Sequence, residues 1–139
     1  MNTPRFTPDR ITKLEPGEIF VFGSNVQGVH GAGAAKDAAR LFGAKRGIGI
    51  GFTGQCYAIP TRSYKGGSFT TLPLKSINMH VNTFLADASA MPGNVFLVTQ
   101  IGCGYAGLSP EKIAQMFKVH PANVILPKSF HDIIHKPTP

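Results

Sequence analysis

The sequence predicts an α/β sandwich built on a largely parallel sheet. Three observations carry that expectation. Compact apolar runs, Ile19 to Phe22 and Val95 to Thr99, have the character of buried strands. Leu74, Ile77, Val81, Phe84, Leu85 and Ala88, like Ala34, Ala35, Ala38, Leu41 and Phe42, repeat at helical spacing instead. Strands and helices alternate along the chain, and two strands run directly into glycine loops that feed helix N-termini.

The first of these units is the stretch from Ile19 to Phe42. Pro16-Gly17 signals a turn into the strand, and a polar, glycine-rich segment, Gly23 to Gly33, follows it. The alanines of the next helix suit close packing on a sheet, and Gly43 stands at the position expected to end it. Strand, glycine loop and helix N-terminus together can hold an anion, because unpaired backbone N–H groups and the helix dipole converge there.

Further along, Gly47 to Gly54 reads as an irregular loop, and nine of the sixteen glycines lie between positions 23 and 54. Cys56 to Pro60 reads as a short strand that Pro60 ends or places at a sheet edge. The polar segment Thr61 to Thr71, with Gly66-Gly67, is a loop or hairpin. A helix spans about Pro73 to Ala90, and Val95 to Thr99 is the clearest central strand. It enters a second glycine loop, Ile101 to Gly107. Ser109, Pro110 and Glu111 then give a third helix an N-cap, a proline in its first turn and an acid near its positive end. Val124 to Leu126 is a further short strand, and Ser129 is a candidate cap for a helix through Ile134.

At 139 residues, 42% of them hydrophobic and with a mean hydropathy of +0.03, the chain suits one domain that needs neither disulfides nor metal. No apolar run reaches the ~18 residues of a membrane helix. The opening MNTPRFTPDR lacks the apolar core of a signal peptide, so the expectation is a cytoplasmic protein with no membrane partner. Cys56 and Cys103 read as reduced, half-buried thiols. The five histidines show no metal-ligand spacing, so neither a metal nor a cofactor is expected.

Charge adds a partner class. The chain carries a net +7, and the segment from Lys36 to Lys75 holds seven basic residues against one acid, Asp37. Such a bias attracts phosphates, of a nucleotide or of a nucleic acid, or else forms a solvated face. Asn25, where the first strand ends, either orients a ribose hydroxyl or a water, or accepts a turn conformation. His30 either meets phosphate or acts as an acid–base group, or is a loop residue with no role. Cys103, between two glycines, invites a nucleophile reading, but no paired base is apparent.

In their order and spacing these motifs resemble the macrodomain superfamily, α/β/α modules that bind ADP-ribose. The likeness is closest to the compact subgroup of ADP-ribose glycohydrolases that use a lysine and an aspartate. There too a Gly-Ala-Gly, here Gly31-Ala32-Gly33, opens a helix ending in Phe-Gly, here Phe42-Gly43. The same subgroup has an Ile-Gly-Cys-Gly loop, as at Ile101 to Gly104. The likeness spans roughly residues 18 to 127. It implies a three-layer α/β/α domain with a mixed, largely parallel sheet over residues 16–135; Pro4, Pro8 and scattered charges make residues 1–15 an N-terminal arm, and the closing Lys-Pro-Thr-Pro reads as a loose tail (136–139). Gly31, Ala32 and Gly33, with Gly102, Cys103, Gly104 and Tyr105, would enclose the diphosphate and distal ribose. Ser24, Asn25, Thr61 and Arg62 would complete the ligand-binding set.

Where the subgroup has its lysine, this chain has Thr61 and then Arg62; where it has its aspartate, this chain has Ala106. An arginine stays protonated and cannot form the lysine's covalent sugar adduct. The catalytic candidates are therefore Asn25, His30 and Arg62. The expected partner is ADP-ribose or a related nucleotide, free or as a modification on protein or nucleic acid; whether the chain also hydrolyses an ADP-ribosyl group is left open, because the subgroup's lysine and aspartate are not matched. A small basic nucleic-acid-binding protein is the alternative.

Overall fold

The computed structural model of the chain describes residues 5–104 and 106–136. The expected loose tail therefore lies, beyond Lys136, outside the described residues. The sheet is organised around β1 (Glu18–Asn25), which pairs in parallel with β3 (Cys56–Lys65) on one side and β5 (Val95–Val98) on the other. β6 (Val124–Ile125) continues the parallel set beyond β5. β2 (Gly51–Thr53) and β4 (Ser68–Thr71) pair antiparallel with successive stretches of the outer edge of β3. The result is a six-stranded, mixed and largely parallel sheet.

A two-residue period sorts the strand side chains to the two faces of the sheet. Phe20, Phe22, Cys56, Ala58 and Leu97 pack with Ala35, Ala38 and Phe42 of α1 (Gly33–Phe42). Ile19, Val21, Tyr57, Ile59, Phe96 and Val98 pack on the opposite face, against α2 (Leu74–Ser89), α3 (Pro110–Met116) and α4 (Lys128–Ile134). The domain is thus an α/β/α sandwich. Phe84 of α2 is fully buried there, with the rings of Tyr57, Phe96 and Phe117 at 5.0, 5.6 and 6.3 Å. On the α1 side the small side chains bring helix and sheet so close that the Cys56 thiol lies within 3.8 Å of the Ala38 and Phe42 carbonyls.

One helix cannot cover the whole α1 face, and the N-terminal segment covers part of the remainder. Among its described residues, 5–15, the expected arm has no helix of its own, but Ile11 is buried in the α1-side cluster. Thr7 donates its backbone N–H to the Leu126 carbonyl at 2.9 Å and its hydroxyl to the Ile125 carbonyl at 3.1 Å. These bonds seat the segment beside the C-terminal end of β6.

Several local expectations change. The stretch from Gly47 to Gly54 is not loop throughout, because Gly51–Thr53 pairs with Cys56–Ala58. Pro60 does not end β3, which runs on to Lys65; it stands where the outer edge of β3 is locally unpaired. It falls in the gap between the β2 pairing, which stops at Ala58, and the β4 pairing, which starts at Arg62. Its missing N–H therefore costs no ladder bond on that side. Thr61 to Thr71 forms the hairpin, with β3 and β4 as its arms. β5 is flanked by β1 and β6, whereas β1 holds the middle of the sheet. Ser129 is inside α4, whose N-cap is Pro127. Gly43 closes α1 in the left-handed conformation expected of it, at φ 81°.

Truncating Phe84 to Ala should lower the unfolding free energy by about 3–5 kcal/mol, read from urea denaturation. Stability should also fall with alkali. Burial pushes the Cys56 thiol up to about 12. The folded chain therefore favours the neutral thiol, and this contribution is complete below the unfolded thiol's pKa of about 8.5. It is lost as pH rises toward the folded value, at up to about 1.4 kcal/mol per pH unit. Denaturation of the wild type and Cys56→Ala between pH 8 and pH 10 should show the wild type losing more.

Candidate functional site

β1 and β5 are parallel neighbours, but the connections that follow them part. The chain leaves β1 for α1 on one face of the sheet, and leaves β5 for α3 on the other. Such a divergence opens a crevice at the carboxyl ends of the two strands, where open α/β sheets take their ligands. A cleft of 910 Å³ lies there. Its floor includes Gly23, Ser24, Thr61, Thr99 and Gly102; Gly31 to Ala35 form one wall. Thr7 to Ile11 close one end, and Arg62, Tyr64 and Phe69 of the β3–β4 hairpin stand at another side.

The turn after β1 is built by backbone contact. The Asn25 amide donates to the Val29 carbonyl at 2.8 Å, and its oxygen accepts the Val29 N–H at 2.9 Å. Asn25 is buried, and this two-point clamp makes its side chain a brace of the turn. The Ser24 hydroxyl likewise donates to the Gly49 carbonyl. Gly49 has to be glycine, because a Cβ there would stand 1.9 Å from the Asn25 carbonyl oxygen. Gly28, at φ +73°, is pressed against the Gly47–Ile48 backbone in the same way. The Gly47–Gly49 backbone thus buttresses the cleft-facing turn.

This buttress leaves α1 open to the cleft. Ala32, the N-cap, is extended (φ −156°, ψ 162°) and supplies no capping side chain, and the first turn carries no acid. The N–H groups of Gly33, Ala34 and Ala35 have no acceptor within the helix by their position. They and the positive end of the helix dipole point where an anion can sit. From the other side, Gly102 is buried at φ +78°, and its carbonyl accepts the Leu108 N–H at 2.8 Å to close the second turn. The two turns are in contact: a Cβ added at Gly23 would be 3.4 Å from the Gly102 nitrogen.

The structure brings most of the expected ligand-binding residues together. Ser24, Asn25, Gly31, Ala32, Gly33, Thr61, Arg62, Gly102 and Gly104 all line the cleft. Cys103 does not. Its thiol packs toward the α2–α3 side, 3.5 Å from the Ile101 carbonyl, and burial followed by the Glu111 charge pushes its pKa up. That placement and protonation oppose a nucleophile role. Tyr105 lies outside the described residues. His30 is also turned from the cleft: its ring meets Phe22 edge-on at 5.5 Å, and Nε2 is 3.1 Å from the Lys45 carbonyl. Arg62 stacks its guanidinium over Phe69 at 4.1 Å, and Phe69 lies against Tyr64 at 4.7 Å.

Sequence reasoning missed the contribution of the N-terminal segment. Pro8, Asp9, Arg10 and Ile11 line the cleft, and Arg10 pairs with Asp37 of α1 at 3.7 Å. Asp37 also pairs with Arg40 at 3.7 Å, so this cleft-lining carboxylate is held between two guanidinium groups. It missed Gln27 as well, which binds Ser63 and Tyr64. Neither has a local sequence signal, because both contacts join residues more than 25 positions apart. Among the described residues, no group of histidine, cysteine and acid side chains is arranged to hold a metal ion, and no helix is long and apolar enough to cross a membrane.

Replacing Asn25 with Ala should leave both Val29 backbone groups without their side-chain partner. A loss of about 1–3 kcal/mol is expected in urea denaturation. An unchanged midpoint would show that the clamp is not what braces the turn.

No family model, curated protein or solved structure matches the chain, so the chemistry of the site rests on its own residues.

Proposed function

We propose that the cleft binds ADP-ribose or a closely related nucleotide, free or as an ADP-ribosyl group on a macromolecule, in the manner of the macrodomains the sequence resembles. The observation that carries this reading is that two glycine turns, one of them opening a helix, line a single cleft. The uncapped first turn of α1 and the Gly102–Gly104 turn open on one cleft where the connections after β1 and β5 part. A diphosphate would span both turns, which a single phosphate would not. The volume of 910 Å³ is near the upper end of ordinary ligand sites, room for a ligand larger than a mononucleotide.

The ends of the cleft supply the rest. Pro8, Ile11, Phe20 and Pro127 give one end an apolar lining, with Asp9 and Arg10 beside it. That combination suits the flat body and polar edge of a purine. Arg62, Tyr64 and Phe69 stand at the hairpin side, where the second ribose and any attached group would lie. Binding, rather than turnover, is the activity proposed. Arg62 cannot take the lysine's covalent role, and the Asn25 amide already braces the turn.

Isothermal titration should show ADP-ribose binding at least about tenfold more tightly than AMP. Equal affinities, or none at high protein concentration, would count against the reading. Binding to any nucleic acid that collapses with salt, and is lost on replacing the exposed Lys45 and Arg46, would favour the basic-protein alternative instead. Ala32→Asp gives a sharper test. A carboxylate at the N-cap should raise stability by about 0.5–2 kcal/mol. It would occupy the same N–H groups as the phosphate, so ADP-ribose affinity should fall at least about tenfold.

A further inference from the structure

The turn after β1 and the hairpin bearing Arg62 are joined by a side chain that phosphate binding does not require. Gln27 stands in that turn, half-buried, and reaches across to β3. Its Oε1 accepts the Tyr64 backbone N–H at 2.6 Å, and its Nε2 donates to the Ser63 hydroxyl at 3.1 Å. A backbone N–H can only donate, so the Tyr64 contact determines which way the amide faces. The same turn also holds the residue before this pair: the Val26 N–H donates to the Arg62 carbonyl at 2.9 Å.

The base of the hairpin is held by the Thr71 hydroxyl, which donates to the Ala106 carbonyl at 3.1 Å, and by the Leu72 N–H on the Thr61 carbonyl at 2.8 Å, whereas its far end has only the β3–β4 pairing. β4 is exposed at every residue. The connecting Gly66 and Gly67 have φ of +58° and +84°, and a Cβ at either would meet nothing within 4 Å. Arg62 and Tyr64 lie on the same strand as Ser63, and Phe69 pairs directly with Tyr64 across the hairpin. A clamp on Ser63 and Tyr64 therefore acts where the strand carries the cleft-facing groups.

We infer that Gln27 is a positioning residue for the Arg62 side of the cleft. It ties the hairpin to the phosphate-facing turn and so makes the site select ligands that extend beyond the phosphates. This inference rests on the ADP-ribose reading. A ligand that ends at its first phosphate leaves the hairpin untouched, whereas one carrying a second ribose meets Arg62 and Phe69. The clamp is then felt only by the longer ligand. A fixed distance between phosphate cradle and guanidinium spares binding the cost of ordering the hairpin.

The test is calorimetric titration of ADP-ribose and AMP into wild type, Gln27→Ala, Ser63→Ala, Arg62→Ala and the Gln27→Ala/Arg62→Ala double variant, with thermal melting of each. Gln27→Ala should weaken ADP-ribose about five- to tenfold and leave AMP within about twofold. Ser63→Ala, which removes half of the clamp, should show a smaller loss of the same kind. The double variant should be no weaker than Arg62→Ala alone, because the two residues act through one contact. Wild type with no preference for ADP-ribose would overturn the functional reading and this inference with it. A wild-type preference kept in Gln27→Ala would overturn the inference alone. So would equal losses for both nucleotides, additive penalties in the double variant, or a lowered melting temperature with an unchanged affinity ratio.

Discussion

The double burial of β1 is the constraint on which the rest of the fold depends. Its side chains alternate between two apolar clusters, Phe20 and Phe22 on one face, Ile19 and Val21 on the other, and both its edges are paired. A strand covered on every side has no freedom of register, since a slip of one residue would exchange the two faces. Its carboxyl end is therefore held firmly. That end is also where the chain must choose a face. The choice of α1 after β1 and α3 after β5 opens the cleft between the two connections.

Around this opening, backbone approaches backbone with almost no side chain between. Gly49 lies under the Asn25 carbonyl, Gly28 lies against Ile48, and Gly23 faces Gly102. Glycine does two different jobs here. At Gly28 and Gly102 it supplies a positive φ, and at Gly49 it permits a contact that any Cβ would block. The close approach leaves backbone N–H groups of the first turn of α1 facing the cleft, with Ala32 too short to cap them. A capping side chain would steady α1 but occupy the position best suited to an anion.

The charged groups at the rim are tied to one another as much as to solvent. Arg10 and Arg40 share Asp37, and Arg62 lies on the Phe69 ring. These partly exposed contacts add little to stability. Their effect is to give the rim a definite arrangement. On the α1 side the N-terminal segment brings Arg10 across to the helix, and on the hairpin side Gln27 ties Ser63 and Tyr64 to the first turn. The cleft is thus bounded on one side by an N-terminal segment outside the sheet and on the other by a hairpin that extends the sheet.

Alternation of apolar runs with helical spacing made the α/β class, both glycine turns and the ends of α1 and α2 legible in the sequence. These are signals carried within a few residues: Gly43 ends α1 because a left-handed residue must stand there. The polarity of the strands likewise placed both turns at the carboxyl ends of the strands. What tertiary structure decided was the direction each side chain takes and what the loops lean on. Asn25, His30 and Cys103 all fall in the right turns. Yet Asn25 braces Val29, His30 lies behind Phe22, and the Cys103 thiol is turned from the cleft. Pro60 could stay inside β3 only because its outer neighbours change there from β2 to β4. The wall from Thr7 to Ile11 and the Gln27 clamp join residues far apart in the chain, so no local pattern records them. Local spacing determines which backbone can turn and where; long-range packing determines which side chains face the cleft.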